Sequence, residues 1–300
     1  MKVYIVGMGA LGVMYGDFIK EHGGSAAFIM NKERLSRYEG RPVICNGREQ
    51  VFQMVDMETA GKADLVIVAV KYSGLQSAIE TMKHCVGSDT VIMSVMNGIS
   101  SEDIIAETYG SDKLIYTVAQ GMDAMKAGDR LKYTQMGELC IGAKEEGQKP
   151  NVERVAAYFD SIGMPYIVDA DIMHRIWGKF MLNVGVNQTC MAYGTTYAGV
   201  LRPGEAHDLM LEAMHEVIAA ANAEGIALGE KDVEFYVGLL KKLDPDGYPS
   251  MAQDRVAKRR SEVEMFAGTV IPICDRHNIP APANKKLYEM VKEIEAGYEA

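Results

Sequence analysis

The chain has 300 residues, 48% of them hydrophobic and 24% charged, and its formal net charge is −10. That balance fits a globular protein with one or two sizeable cores, and the negative charge argues against nucleic acid or an anionic membrane as a main partner. No apolar run is long enough to span a bilayer, and the five cysteines (Cys45, Cys85, Cys140, Cys190, Cys274) are dispersed, with no metal-ligand spacing, so the expectation is a cytoplasmic protein with reduced thiols and no metal.

Met1 to Gly7 holds one cation and a short apolar run, and reads as a first strand rather than a signal peptide. A Gly-rich turn follows, then a helix from about Ala10 to His22 and a second strand over Ala26–Met30. Ala63–Val70 and Thr90–Met96 are almost wholly apolar, as strands buried on both faces should be, and Leu114–Ala119 reads as another strand. This alternation predicts a parallel sheet covered by helices. After Pro165–Ala170 the β-type runs stop. Asp171–Ala192 reads as a helix with Asp169 or Asp171 as N-cap, and Pro203 opens another that Gly225 ends. Leu243–Pro249 is a loop by composition, and Met251–His277 reads as one long helix. The expected organisation is a dinucleotide-binding α/β domain over residues 1–168 and an all-α substrate and catalytic domain over 169–300.

Gly7-Met8-Gly9-Ala10-Leu11-Gly12 is a G-x-G-x-x-G motif between the first strand and its helix. In that context Gly7 permits the tight turn, Gly9 lets backbone approach a pyrophosphate, Gly12 allows close helix–strand packing, and the helix N-terminus faces the anion. The bland alternative is a Gly-rich turn without a ligand. NAD-binding versions usually place a carboxylate about 20 residues on, to grip the ribose 2′-hydroxyl. Here the second strand leads into Asn31, Lys32, Glu33 and Arg34. With two cations and no acid at the strand tip, NADPH is preferred, with Glu33 counting against it. A merely solvated loop would also explain Lys32 and Arg34. Lys71 and Asn97-Gly98 follow the next two strands directly, on the edge where such sheets bind ligands, although Asn-Gly alone is ordinary turn chemistry.

In the second half, Lys179, Asn183 and Asn187 are spaced i, i+4, i+8 among Phe, Met, Leu and Val. They form one stripe on a mostly apolar helix, where two amides and an ammonium need partners. A polar ligand between the domains would supply them, and so would an internal hydrogen-bond network. Ser250 reads as a helix cap and Glu262 as a surface charge when each is taken alone.

Together these residues resemble the ketopantoate reductase (2-dehydropantoate 2-reductase) family, over essentially the whole chain. The marks are the glycine motif, Val70-Lys71, Met96-Asn97-Gly98, the Lys179 helix, Pro249-Ser250-Met251-Ala252-Gln253-Asp254 followed by Glu262, and the Asn278-Ile279-Pro280 turn. The resemblance implies NADPH-dependent reduction of a 2-keto acid, 2-dehydropantoate first, in pantothenate and coenzyme A biosynthesis. It gives Lys179 the catalytic place and Glu262 a place beside it, in contact with the cofactor. Asn183, Asn187 and Ser250 take substrate-binding places, Asn97 contacts both nicotinamide ribose and substrate, and Ala124 offers a backbone contact to the cofactor. Cys190–Leu201 aligns loosely, Tyr197 falls where some members have a substrate-binding asparagine, and Ile99-Ser100 replaces small residues, so the pocket is expected to differ in detail. A homodimer is the oligomer this reading allows.

Two other readings compete. A β-hydroxyacid dehydrogenase would share the K-x-x-x-N helix but would not explain the Ser250–Glu262 segment. A redox sensor that binds NADPH without turnover would not need Lys179, both asparagines and Glu262 together.

Overall fold

The computed structural model describes residues 1–298, which form two compact units: Met1–Asn97 with Ser101–Ile172, and Gly98–Ser100 with Met173 onward. In the first unit the strands are β1 (Lys2–Val6), β2 (Ser25–Met30), β3 (Val43–Cys45), β4 (Arg48–Gln50), β5 (Gln53–Asp56), β6 (Leu65–Val68), β7 (Val91–Ser94), β8 (Leu114–Gln120), β9 (Met125–Ala127), β10 (Arg130–Lys132), β11 (Glu138–Gly142) and β12 (Tyr166–Val168). Its helices are α1 (Ala10–Glu21), α2 (Lys32–Tyr38), α3 (Leu75–Met82), α4 (Ser101–Tyr109) and α5 (Lys149–Ile162).

Eight strands form one sheet in the order β12-β11-β8-β7-β6-β1-β2-β5. The six from β8 to β5 run parallel, while β11 pairs antiparallel with β8 and carries β12 alongside it. Successive residues of β1 supply the two cores: Val3 and Ile5 pack with Met14, Ile19 and Phe159 from α1 and α5, whereas Tyr4 and Val6 pack with Leu75, Ile79 and Met82 from α3. Period-2 alternation with both faces covered produces such a near-continuous apolar run.

The expected α/β architecture is present, but the sheet is not wholly parallel, since β11 runs antiparallel to β8, and several elements were not read along the sequence. A second sheet, β4-β3-β10-β9, was not anticipated. Its hairpin is turned by Asn46 and Gly47, both at positive φ, which suits a two-residue type I′ connection. The residues after β2, for which a solvated loop was the competing explanation, form the helix α2, and Asn31 caps it by accepting a hydrogen bond from Arg34 N at 2.9 Å.

Every regular element described in the second unit is a helix: α6 (Ile172–Tyr193), α7 (Tyr197–Leu201), α8 (Glu205–Ala223), α9 (Glu230–Leu240), α10 (Ser250–Val256), α11 (Ala267–Arg276) and α12 (Pro282–Ala296). The expected single helix over Met251–His277 is instead α10 and α11. The break follows Lys258, which takes φ 49°, and Arg259 N folds back to Asp254 O at 2.8 Å. Ser250 is the first helical residue of α10 rather than its cap, which is Pro249. Gln188 of α6 ties this unit together: it accepts from Ala267 N at 3.1 Å and donates to Asn284 Oδ1 at 3.3 Å.

Candidate active site

Two sets of side chains were singled out by sequence, one in each unit. The first surrounds the β1–α1 turn. Gly7 sits at φ 111°, and a Cβ there would overlap Ala69 O, while a Cβ on Gly12 would overlap Gly7 O. Gly9 is different, because the nearest atom to its Cβ would be Ala69 O at 3.7 Å. The fold itself therefore demands Gly7 and Gly12, whereas a bare Gly9 keeps the mouth of α1 open. Gly9 is the N-cap of α1 and offers no side-chain acceptor, so the first-turn N–H groups are available to an anion.

A cleft of about 380 Å³ opens over this turn. Met8 and Gly9 line it on the glycine side, Asn31, Arg34 and Tyr38 at the end of β2, and Lys71, Ser73 and Ser77 beyond β6. No carboxylate is among its described lining residues, in a protein with a net charge of −10. Asn31 spends its acceptor oxygen on Arg34 N, which leaves its amide N–H groups as what it can offer a ligand. Glu33 is exposed and pairs with Arg37 one turn along α2. The fit to a dinucleotide is good on chemical grounds: an open helix N-terminus for the pyrophosphate, and donors where a 2′-phosphate would lie. Lys32 is exposed, and neither it nor Ala124 lines this cleft; Ala124 packs against the core of the unit.

Asn97 is half-buried, three residues past β7. The neck of its loop is pinned by a buried trio that the sequence reading missed. Ser94 Oγ lies 2.9 Å from Ser101 Oγ, which donates to Glu102 Oε2 at 2.7 Å, and Met96 N donates to Ser94 Oγ at 3.3 Å. Glu102 is only 4% exposed. Burial pushes its carboxyl up to about 7, against the opposing pull of the Ser101 hydrogen bond.

The second set lies on α6 and its neighbours. Lys179 and Asn183 are half-buried and Asn187 is buried, all on one stripe. Asn187 Nδ2 donates to Ser250 Oγ at 3.4 Å, bringing together two predicted residues 63 apart in sequence. Asn183 makes no side-chain hydrogen bond to another described residue, which leaves a half-buried amide in line with Lys179. Arg255 donates to Met191 O and Ala192 O at 2.5 and 2.9 Å, fastening α10 to the end of α6. Nothing in the sequence marked it out. Glu262 lies in the bend between α10 and α11, and the residue before it, Ser261, is held by the buried Glu295 at 2.6 and 2.7 Å. Tyr197 lines a separate surface groove with Leu201, Arg202 and Lys241. Cys45, Cys85 and Cys274 are buried with thiols pushed up to about 11, and Cys190 to about 12, which disfavours the thiolate at each of the four.

Family models described as "Ketopantoate reductase PanE/ApbA" and "Ketopantoate reductase PanE/ApbA C terminal" match residues 3–146 and 171–295. The chain belongs to the ketopantoate reductase family. A 2-dehydropantoate 2-reductase of Pyrococcus abyssi is 26% identical over 303 residues, spanning 99% of this chain and 98% of that protein. Among solved structures, a PanE/ApbA family ketopantoate reductase from Ralstonia eutropha JMP134 is 25% identical over the whole of both chains, with a TM-score of 0.86. A D-mandelate dehydrogenase solved with NADH shares the fold at a TM-score of 0.89 and 21% identity, over 99% of this chain and all of that one. Membership in this family accounts for an α/β unit followed by a helical one. Among the described residues no helix is long and apolar enough to cross a membrane.

Proposed function

We propose that this protein is an NADPH-dependent 2-keto acid reductase whose substrate is 2-dehydropantoate. The observation that carries the reading is the α6 stripe, where an ammonium and two amides share one face of a mostly apolar helix, with Ser250 joined to it. Such groups are costly to bury and are recovered when they bind an anion or a developing oxyanion.

The dinucleotide, when bound, supplies the hydride that reduces the keto carbon. The protein must then place that carbon and deliver one proton to the carbonyl oxygen, so that the product is a 2-hydroxy acid. Lys179 Nζ is assigned the proton, and its positive charge gains value as negative charge grows on the oxygen. Asn183, Asn187 and Ser250 hold the carboxylate and distal hydroxyl, and Asn97 meets both substrate and nicotinamide ribose. Glu262 is assigned to the same neighbourhood, steadying the lysine and touching the cofactor. Gly7 to Gly12 hold the pyrophosphate. Asn31, Lys32, Arg34 and Lys71 serve the adenosine phosphates, and Ala124 provides a backbone contact. The preference for NADPH over NADH is supported by a cleft lined by Asn31 and Arg34 with no carboxylate among its described lining residues. A homodimer in the cytoplasm is the form this reading allows.

The test is oxidation of NADPH, followed optically, against a panel of 2-keto and 3-keto acids. Turnover of 2-dehydropantoate well above the rest is the expected result. Inertness of 2-dehydropantoate with turnover of another 2-keto acid would overturn the substrate but leave the reaction class. Turnover of 3-keto acids alone would favour a β-hydroxyacid dehydrogenase.

A further inference from the structure

Tyr236 of α9 stands against the turn of α6 that carries Lys179. Its hydroxyl donates to Arg175 O at 3.3 Å. In α-helical geometry that same carbonyl accepts the backbone N–H four residues on, which is that of Lys179. One oxygen, with two lone pairs, thus serves both the turn bearing Lys179 and the neighbouring helix. The second observation is Gly178. A Cβ there would lie 2.6 Å from Tyr236 Oη and 2.8 Å from Cζ, so the ring occupies the place of a side chain. Trp177 and Phe180 complete the turn, at 5% and 1% exposure, with rings in edge-to-face contact 6.0 Å apart. Three of the four side-chain directions are therefore fixed by packing, and Lys179 is the one left half-exposed.

We propose that Tyr236 is a positioning residue for Lys179, acting through the shared Arg175 carbonyl and the contact that Gly178 permits. The inference rests on Lys179 being the proton donor. Rotation or tilt of α6 would swing the long lysine side chain most, and a misplacement of about 1 Å at a reacting group can cost about 10²-fold. The phenol and the packed ring restrain the helix against that movement from the side of α9.

The experiment uses the full chain, NADPH and 2-dehydropantoate. Tyr236→Phe keeps the ring and removes only the hydroxyl. It is expected to lower kcat by about 3- to 10-fold, a part of the roughly 10²-fold that a full 1 Å misplacement can cost. KM for the keto acid and NADPH affinity, read by fluorescence titration, should stay within about twofold, and the basic limb of the kcat–pH profile should move. Gly178→Ala should lower kcat more, because its methyl displaces the ring. Gly178→Ala in a Tyr236→Ala background should add little, because the ring it would meet is gone. Unchanged kcat and pH profile in Tyr236→Phe would overturn the proposal. So would a loss of melting temperature with the pH profile unmoved, or full additivity of the two alanine substitutions. Lys179→Ala is measured alongside. If it keeps near-normal kcat, the assignment of Lys179 itself has failed. If it is crippled while Tyr236→Phe is normal, only the role of Tyr236 has failed.

Discussion

Glu102→Gln should make the protein more stable at pH 8, with the gain shrinking towards pH 4.5. The carboxyl is buried beside Ser101, and its pKa is raised from 4.5 to about 7, chiefly by burial. Asp103 adds to the rise, while Ser101 and nearby backbone N–H groups oppose it. For an acid whose folded pKa is raised, the sign is fixed by proton binding. Below the unfolded value both states are protonated and nothing is lost. Between the unfolded and folded values the folded state binds a proton that the unfolded state has released, so stability falls as pH rises. Above about 7 the full cost is present. A shift of 4.5 to about 7 corresponds to about 3 kcal/mol. Gln is isosteric, can still accept from Ser101, and has no charge to desolvate, so it removes that loss. On a domain of this size each kcal/mol moves the melting temperature by about 2–4 °C, so the variant should melt about 6–12 °C above wild type at pH 8. Thermal unfolding at half-unit steps from pH 4.5 to 8.5 measures it. Parallel wild-type and variant curves across that range would refute the reasoning. They would mean that the serine and backbone hydrogen bonds fully repay the desolvation of the carboxylate.

Lys179→Ala should lower kcat by about 10²-fold or more, the scale of general acid catalysis, with little change in NADPH affinity; steady-state kinetics and a cofactor titration check both. Arg34→Glu introduces a carboxylate into a cleft that has none among its described lining residues and should cut the NADPH-to-NADH ratio of kcat/KM by about tenfold or more, from charge repulsion with the 2′-phosphate. Asn183→Ala should raise KM for the keto acid by about tenfold with kcat nearly kept, as removal of one binding hydrogen bond to a charged group does; a fall in kcat at constant KM would give Asn183 a part in the chemical step.

What the sequence disclosed depended on how local each signal is. The runs around β6 and β7 are buried on both faces, so their apolar character was visible without knowing their neighbours. The glycine motif and the α6 stripe are likewise properties of a short window. Helix α2 was missed because none of its seven residues is buried, so it carries no hydrophobic period, although its Asn31 cap was in plain view. The second sheet is built from three-residue strands, too short to show alternation, yet Asn46-Gly47 between two short runs was a hairpin signal that went unread. The break after α10 had no such marker, since Lys258 takes the left-handed conformation without glycine or proline. Gly178 is the limiting case. In sequence it is a weak helix former inside a helix, with nothing to distinguish a tolerated defect from a required one. It becomes meaningful once Tyr236, 58 positions later, is known to lie over it. The residues that would touch substrate could be nominated from the chain alone, whereas those that aim them are defined by a partner on another helix.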